Sequence, residues 1–318
     1  MYLWCVAMTA LAAAPASAQG FPSRPLRIIV PYASGTTTDL LARLIAPRIS
    51  ASIGKPIVVE NKSGASGSMG AQAAAAATAD GYTLLLGTSG IMAGNPALMP
   101  TLNYDPAKDF AAVGAIAQNP QILAVGAATG VRSVPELVEF LKTNPAKANY
   151  GSTGIGGAPA LAGAVFLHGS GLKANHIPYN SVSQAMTSLI GGEVTFMFYG
   201  SLALLPLTKS GQLRALANGG TRRSGLFPDL KTMADLGYRD FAAVSWFALY
   251  VPAQTPRDAI RVITRALDAT LKEADTAARL AQGGFDPWPL APDALTAFGE
   301  KDRLRYREQV KKYGGIDP

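Results

Sequence analysis

The residues best suited to chemistry lie in short polar turns that follow apolar strands. Val30-Pro31-Tyr32-Ala33-Ser34-Gly35-Thr36-Thr37-Thr38-Asp39 joins the end of one strand to the start of a helix. In open α/β sheets, ligands bind beyond the carboxyl ends of strands. A helix N-terminus there offers unpaired N–H groups and partial positive charge to an anion. Gly35 permits close backbone approach, and the hydroxyls of Ser34, Thr36, Thr37 and Thr38 can donate to carboxylate oxygens. Asp39 is a poor contact for an anion and suits the N-cap of the helix. The same residues also suit an ordinary βα turn closed by a Thr or Asp cap, and their chemistry leaves both readings open. Gly151-Ser152-Thr153-Gly154-Ile155-Gly156-Gly157 repeats the design of strand, small polar turn and helix, and Thr88-Ser89-Gly90 follows another strand. Tyr179 and Tyr199 each follow a short strand, where they suit either core packing or an aromatic pocket wall.

Several enzyme chemistries find no residues to carry them. Gly64, Gly67 and Gly70 follow a strand, but their spacing is not that of a dinucleotide-binding turn. Phosphate-loop, zinc-protease and nucleophile-elbow patterns are missing from the sequence. The two histidines, His168 and His176, have no acid or nucleophile beside them in sequence, although a triad could assemble in space. Without clustered Cys or His, a transition-metal site has no ligands, and no motif calls for a cofactor. The expectation is a non-enzymatic protein.

These turns need a scaffold of alternating strands and helices. Apolar runs at 26–30, 57–59 and 82–86 alternate with helical patterns at 39–53 and 66–78, a βαβαβ arrangement that implies a parallel sheet with helices on its faces. A second unit follows, with strands at 121–125, 148–150, 175–177, 194–198 and 213–217. Its helices fall at 158–167, 183–190 and 203–209, and one opened by the Ser133-Val134-Pro135-Glu136 capping box runs to 142. A strand at 246–251, a long amphipathic helix from Pro256 and a charged helix at 293–313 complete the chain. Two α/β units without a Gly/Ser linker fit a bilobed architecture.

The chain has 318 residues and is 48% hydrophobic, enough for a large core. Residues 1–18 carry no charge and end in Ala16-Ser17-Ala18, which reads as a secretory signal peptide, although no basic residue precedes the apolar stretch. Cys5 is the only cysteine; with four residues before it, it does not suit a lipid anchor, and a mature chain would have no disulfide. The net charge of +7 comes from scattered basic residues without an aromatic-basic recognition motif. For an exported protein this favours mild attraction of anionic solutes over nucleic acid.

The chain resembles the Bug family, the extracytoplasmic solute receptors of tripartite tricarboxylate transporters. The likeness runs over residues 21–318. It is carried by Phe21-Pro22-Ser23-Arg24-Pro25 with Ile28-Ile29-Val30-Pro31, by 35–43, by Lys55-Pro56-Ile57-Val58-Val59-Glu60-Asn61 and by Asp80-Gly81-Tyr82-Thr83-Leu84-Leu85. Tyr104-Asp105-Pro106, Lys108-Asp109-Phe110, Ile177-Pro178-Tyr179, Leu213-Arg214-Ala215-Leu216-Ala217 and Ser245-Trp246-Phe247 add to it.

The resemblance implies a bilobed, type II periplasmic-binding-protein fold, usually monomeric, with two α/β lobes joined by a two-crossing hinge. Lobe 1 would comprise residues 21–118 plus 245–318, and lobe 2 residues 119–244. It implies a periplasmic receptor that captures a small carboxylate by hinge closure and delivers it to a tripartite tricarboxylate-type permease. The contacts it implies are Tyr32, Ser34, Gly35, Thr36, Thr37 and Thr38 in the first loop, Thr88 and Ser89 in the second, Ser152, Thr153 and Gly154 across the cleft, and Tyr179 with Asn180. This chain departs from the family pattern at Ser34, at Asn180 where a Lys is common, and at Tyr199 where an Asp is common. Loss of that acid disfavours an amino-acid ligand and favours a carboxylate with a less polar body, aromatic acids included. The rival expectations are a secreted hydrolase and a ligand sensor for a membrane signalling kinase.

Overall fold

The structure is a computed structural model that describes residues 20–99, 101–239 and 241–313. The apolar leader expected at 1–18, with Cys5, lies outside the described residues. In chain order the elements are β1 (Leu26–Val30), α1 (Thr37–Ile53), β2 (Ile57–Asn61), α2 (Ser68–Ala75), β3 (Thr83–Thr88), α3 (Asn95–Leu98) and β4 (Phe110–Gly126). Then come α4 (Val134–Thr143), β5 (Asn149–Ser152), α5 (Ala158–Gly169), β6 (Asn175–Pro178), α6 (Val182–Gly191), β7 (Phe196–Gly200), α7 (Ser201–Lys209) and β8 (Leu213–Asn218). The chain closes with β9 (Val244–Pro252), α8 (Arg257–Lys272), α9 (Ala274–Gln282), β10 (Asp286–Pro287) and α10 (Pro292–Tyr313).

The two parallel units share one design. In the first, β1 lies between β2 and β3, parallel to both; in the second, β5 lies between β6 and β7 in the same way. Each parallel set is bordered by antiparallel strands: β3 pairs with β9, and β7 with β4. β4 joins the halves. Its residues up to Pro120 pair with β9, and from Gln121 its partners are β7 and β8. The expected mixed α/β, bilobed fold is the one observed.

Local sequence accounts for the elements. After the exposed Arg27, β1 is buried on both faces at Ile28, Ile29 and Val30, so its second half is an apolar run rather than an alternating one. α1 stops at Gly54, whose left-handed backbone (φ 70) returns its N–H to the Ser50 carbonyl. The Ser133/Glu136 box forms as expected, with the Glu136 N–H donating to Ser133 Oγ and the Ser133 hydroxyl donating to Glu136 Oε1.

Three expected elements differ. The helix expected at 39–53 starts at Thr37. The helix expected at 66–78 opens with a 3-10 turn, Ala65–Gly67, because Ala65 and Ser66 take positive φ between two glycines, and α2 ends at Ala75. The strand expected at 121–125 is the far end of the 17-residue β4, whose Ala-rich first half carries little apolar signal. At the far end of the chain, α10 is tied to β9 by the buried Trp246, whose Nε1 donates to Asp302 Oδ2 at 2.7 Å. Among the described residues no helix is long and apolar enough to cross a membrane.

Candidate functional site

Because β1 pairs with β3, the turns after them emerge side by side; the pairing of β5 with β7 does the same for their turns. These are the positions where the strand order reverses, the usual place for a ligand crevice. Tyr32, after β1, and Thr88, at the end of β3, place their hydroxyls 3.2 Å apart. Burial pushes the Tyr32 phenol up, and the Thr88 hydroxyl pulls against it.

In the first turn, Asp39 is the hub and not the cap. The N-cap is Thr36, whose Oγ1 accepts the Asp39 N–H at 3.4 Å. The carboxylate of Asp39 is fully buried and accepts from the Gly35 N–H at 2.9 Å, the Arg43 Nε at 3.0 Å and the Asn61 Nδ2 at 2.9 Å. Burial alone would raise its pKa, but these donors together hold it below the usual carboxylate value. The Ser34 hydroxyl also donates to Asp39, at 3.3 Å, and Thr36 Oγ1 donates to the Ala33 carbonyl at 2.8 Å. Ser34, Gly35 and Thr36 are therefore committed to shaping the turn. Thr37 and Thr38 occupy the first two helical positions, where an N–H has no carbonyl inside its own helix. Thr38 is buried and Thr37 half-buried.

The second half is anchored differently. Ser152 is fully buried; its Oγ donates to the Gly154 carbonyl at 2.8 Å and lies 2.7 Å from His176 Nε2. With the hydroxyl proton given to Gly154, Ser152 accepts from a protonated Nε2, which leaves His176 Nδ1 as a buried acceptor without a partner. Burial pushes the imidazole pKa down to about 4. This Ser–His pair does not have the geometry of a nucleophile and its base: the serine proton points to a carbonyl, the serine is sealed off, and no acid orients the imidazole. Thr153 faces the Tyr199 phenol, which is pushed up to about 12, chiefly by burial and also by the nearby Tyr32, while the Thr153 hydrogen bond pulls against the rise. The Tyr179 N–H donates to the Ser152 carbonyl at 2.8 Å, which places Tyr179 at the same end of the sheet, with Asn180 exposed beside it.

The two halves touch. A methyl group on Gly154 would lie 3.2 Å from Ser66 Oγ, and one on Gly200 3.6 Å from Thr37 Oγ1. One on Gly90 would lie 3.2 Å from Tyr32 Oη and 3.6 Å from Gly157 Cα. Ser89, fully buried, faces Tyr306 of α10. Ser66, Gly200 and Tyr306 are therefore site neighbours that motif reading passes over. The run Gly64-Ala65-Ser66-Gly67 marks a special turn in the sequence, but nothing in it says which loop it faces. Among the described residues, no group of three or more His, Cys, Asp or Glu could hold a metal ion.

Comparison with known proteins agrees with this architecture. The family described as tripartite tricarboxylate transporter family receptor matches residues 41–314. Protein BugT of Bordetella pertussis is 34% identical over 307 residues, covering 96% of this chain and 94% of that protein. The structure of R. palustris Rpa4515 with adipate superposes with a TM-score of 0.88 at 32% identity, covering 92% of this chain and 98% of that one. MatC from Rhodopseudomonas palustris with bound malate gives 0.83 at 26% identity, covering 91% and 100%. The description of the matching family is that of a receptor rather than an enzyme. With a family match over most of its length and two converging α/β units, this chain belongs to the receptor family of the tripartite tricarboxylate transporters.

Proposed function

We propose that this protein is a periplasmic receptor that closes its two halves around a small carboxylate and hands it to a tripartite tricarboxylate-type permease. The observation that carries this reading is that the hydroxyl-bearing turns after β1 and β3 emerge together, as do those after β5 and β7, and that the two halves meet at Gly154 with Ser66 and at Gly200 with Thr37. One carboxylate oxygen pair is taken by the N–H groups of Thr37 and Thr38 and the Thr37 hydroxyl at the start of α1, where the helix dipole favours negative charge. Tyr32, Thr88, Thr153 and Tyr199 complete the shell, with Tyr179 and Asn180 at its rim. Ser34, Gly35 and Thr36 hold the turn, and Ser152 holds Gly154, so these four position the site through the loop. The hinge is the partner switch in β4 at Pro120 and Gln121 together with the return of the chain at residues 242–245.

The ligand class follows from what lines the cleft. Asp39 is saturated by its own donors, and the family resemblance implies an acid at the position of Tyr199, whose loss leaves no carboxylate there for an ammonium group. Acids with an aliphatic or aromatic body fit better than amino acids, in line with adipate and malate in the two similar structures. Thermal-shift screening against adipate, malate, benzoate and free amino acids tests this. A ligand at a hundred times its Kd adds about 2.7 kcal/mol, which is roughly 5 °C in a chain of this size. Stabilisation by amino acids alone, or by no carboxylate, would overturn the reading.

A further inference from the structure

Gly94 and Gly156 sit on opposite sides of the gap between the two halves, and neither is required by its own backbone. Gly94 is right-handed helical, with φ −69 and ψ −55, and Gly156 lies outside the left-handed region. Gly154 nearby is different: its φ of 111 calls for glycine on conformational grounds. What forbids a side chain at Gly94 and Gly156 is the facing half of the molecule. A methyl on Gly94 would lie 1.9 Å from the Gly156 carbonyl oxygen, and one on Gly156 would lie 2.1 Å from Asn95 Oδ1.

Asn95 adds a second, independent signal. It is fully buried, and its Oδ1 has no hydrogen-bond partner. The orientation of the amide is fixed, because Nδ2 donates to the Ser66 carbonyl and to Ser68 Oγ, both at 3.1 Å, and a carbonyl can only accept. The group turned towards Gly156 is therefore the oxygen. Tyr306 backs the contact, 3.3 Å from a methyl placed on Gly94, with its ring packed among Ala93, Ala160 and Leu161.

We propose that Gly94, Asn95 and Gly156 form a closing contact that makes capture depend on the ligand. The proposal rests on the hinge-closure reading above. When the halves part, Asn95 Oδ1 regains water; when they meet, it loses that water and gains no donor. Closure without ligand is disfavoured by this loss, and the ligand's own hydrogen bonds tip the balance. The two glycines set how far the halves can approach. Ligand affinity is thus governed partly by three positions outside the hydroxyl shell, and alanine at either glycine leaves the open form intact while obstructing the closed one.

A disulfide trap reads this contact without any ligand. A methyl at Gly154 lies 3.6 Å from Ser66 Cβ, within disulfide reach, so Ser66→Cys with Gly154→Cys in a Cys5→Ser background crosslinks only when the halves meet. Backbone strain from the Gly154→Cys substitution is common to every variant and cancels. In a glutathione redox buffer, Gly156→Ala and Gly94→Ala should each slow crosslinking at least about tenfold, as overpacking of a tight contact does. Adding Asn95→Ala should restore the rate of the Gly156→Ala protein, because the atom met by the new methyl is gone. It should not restore Gly94→Ala, whose methyl meets a backbone carbonyl. Melting temperatures near that of the parent pair confirm that each variant folds. An unchanged rate for Gly156→Ala, or a loss that Asn95→Ala does not restore, overturns the proposal, as does a parent pair that never crosslinks. A failed carboxylate screen would instead overturn the functional reading and leave these rates as they are.

Discussion

The turn after β1 is held by an ionised carboxylate, whereas the turn after β5 is held by a neutral hydroxyl–imidazole pair. Asp39 draws together Gly35, Arg43 and Asn61, so its charge is balanced inside its own half. Ser152 and His176 have no ion to balance and leave one imidazole nitrogen unpartnered. The contrast follows from what each turn does. On the proposed function the first presents a helix N-terminus to an anion, and a rigid, charge-neutralised base keeps its N–H groups in place. The second is slim and glycine-rich and, on the same proposal, closes against the facing half. A charged anchor there would need a partner with it in a crowded, poorly solvated place, and removing one member of such a pair is costly.

The pH response separates the two anchors most sharply. His176 stays neutral in the folded protein down to about pH 4, whereas its unfolded reference is 6.5. Stability from this site is full above 6.5 and is lost as pH falls towards 4, by about 3 kcal/mol at the lower end. Asp39 responds with the same sign in a lower window: its folded pKa lies below 3.8, so its contribution is present above that value and is lost only as pH falls into stronger acid. Urea unfolding at pH 7 and pH 4.5 should therefore show a loss that His176→Gln largely removes. An equal loss in both proteins would break the contrast.

Asp39→Ala should cost about 2–3 kcal/mol at neutral pH, because buried donors lose a charged acceptor. It should also abolish the carboxylate-induced thermal shift, since the turn loses its shape. Ser152→Ala should cost about 1–2 kcal/mol, as the Gly154 carbonyl and His176 Nε2 lose their partner. Its effect on affinity should be indirect and smaller than its effect on stability, which calorimetry with the best carboxylate of the screen can check. Thr37→Ala should show the reverse: near-native melting with roughly tenfold to a hundredfold weaker binding, the value of one hydrogen bond to an ion. A Thr37→Ala protein with unchanged affinity would move the carboxylate away from the first turn.

How much of this was legible in the sequence depends on the range of each interaction. The capping box at Ser133 and Glu136 is written in residues three apart, and the structure forms it. β1 and the βαβαβ order follow from apolar runs and turns, which act locally. The first half of β4 was not legible, because Ala and Gly predominate in it and its burial comes from β9. At the site, the sequence identified which turns carry hydroxyls but not where the hydroxyls point. Ser34 and Thr36 look as available as Thr37 until their bonds to Asp39 and Ala33 are seen. Ser66 stayed hidden because its meaning depends on Gly154, far along the chain.

From its residues alone, this chain is determined to be an alternating α/β protein with small polar turns at strand ends and the sequence likeness of a solute receptor. Those properties come from propensity, periodicity and short-range capping, which each segment carries with it. Only the tertiary structure decided that Asp39 is a hub, that Ser152 is sealed against His176, and that Gly156 meets Gly94 and Asn95 across the gap. Those are contacts between distant segments, and which polar group ends up buried, paired or left without a partner is settled by packing, not by residue type.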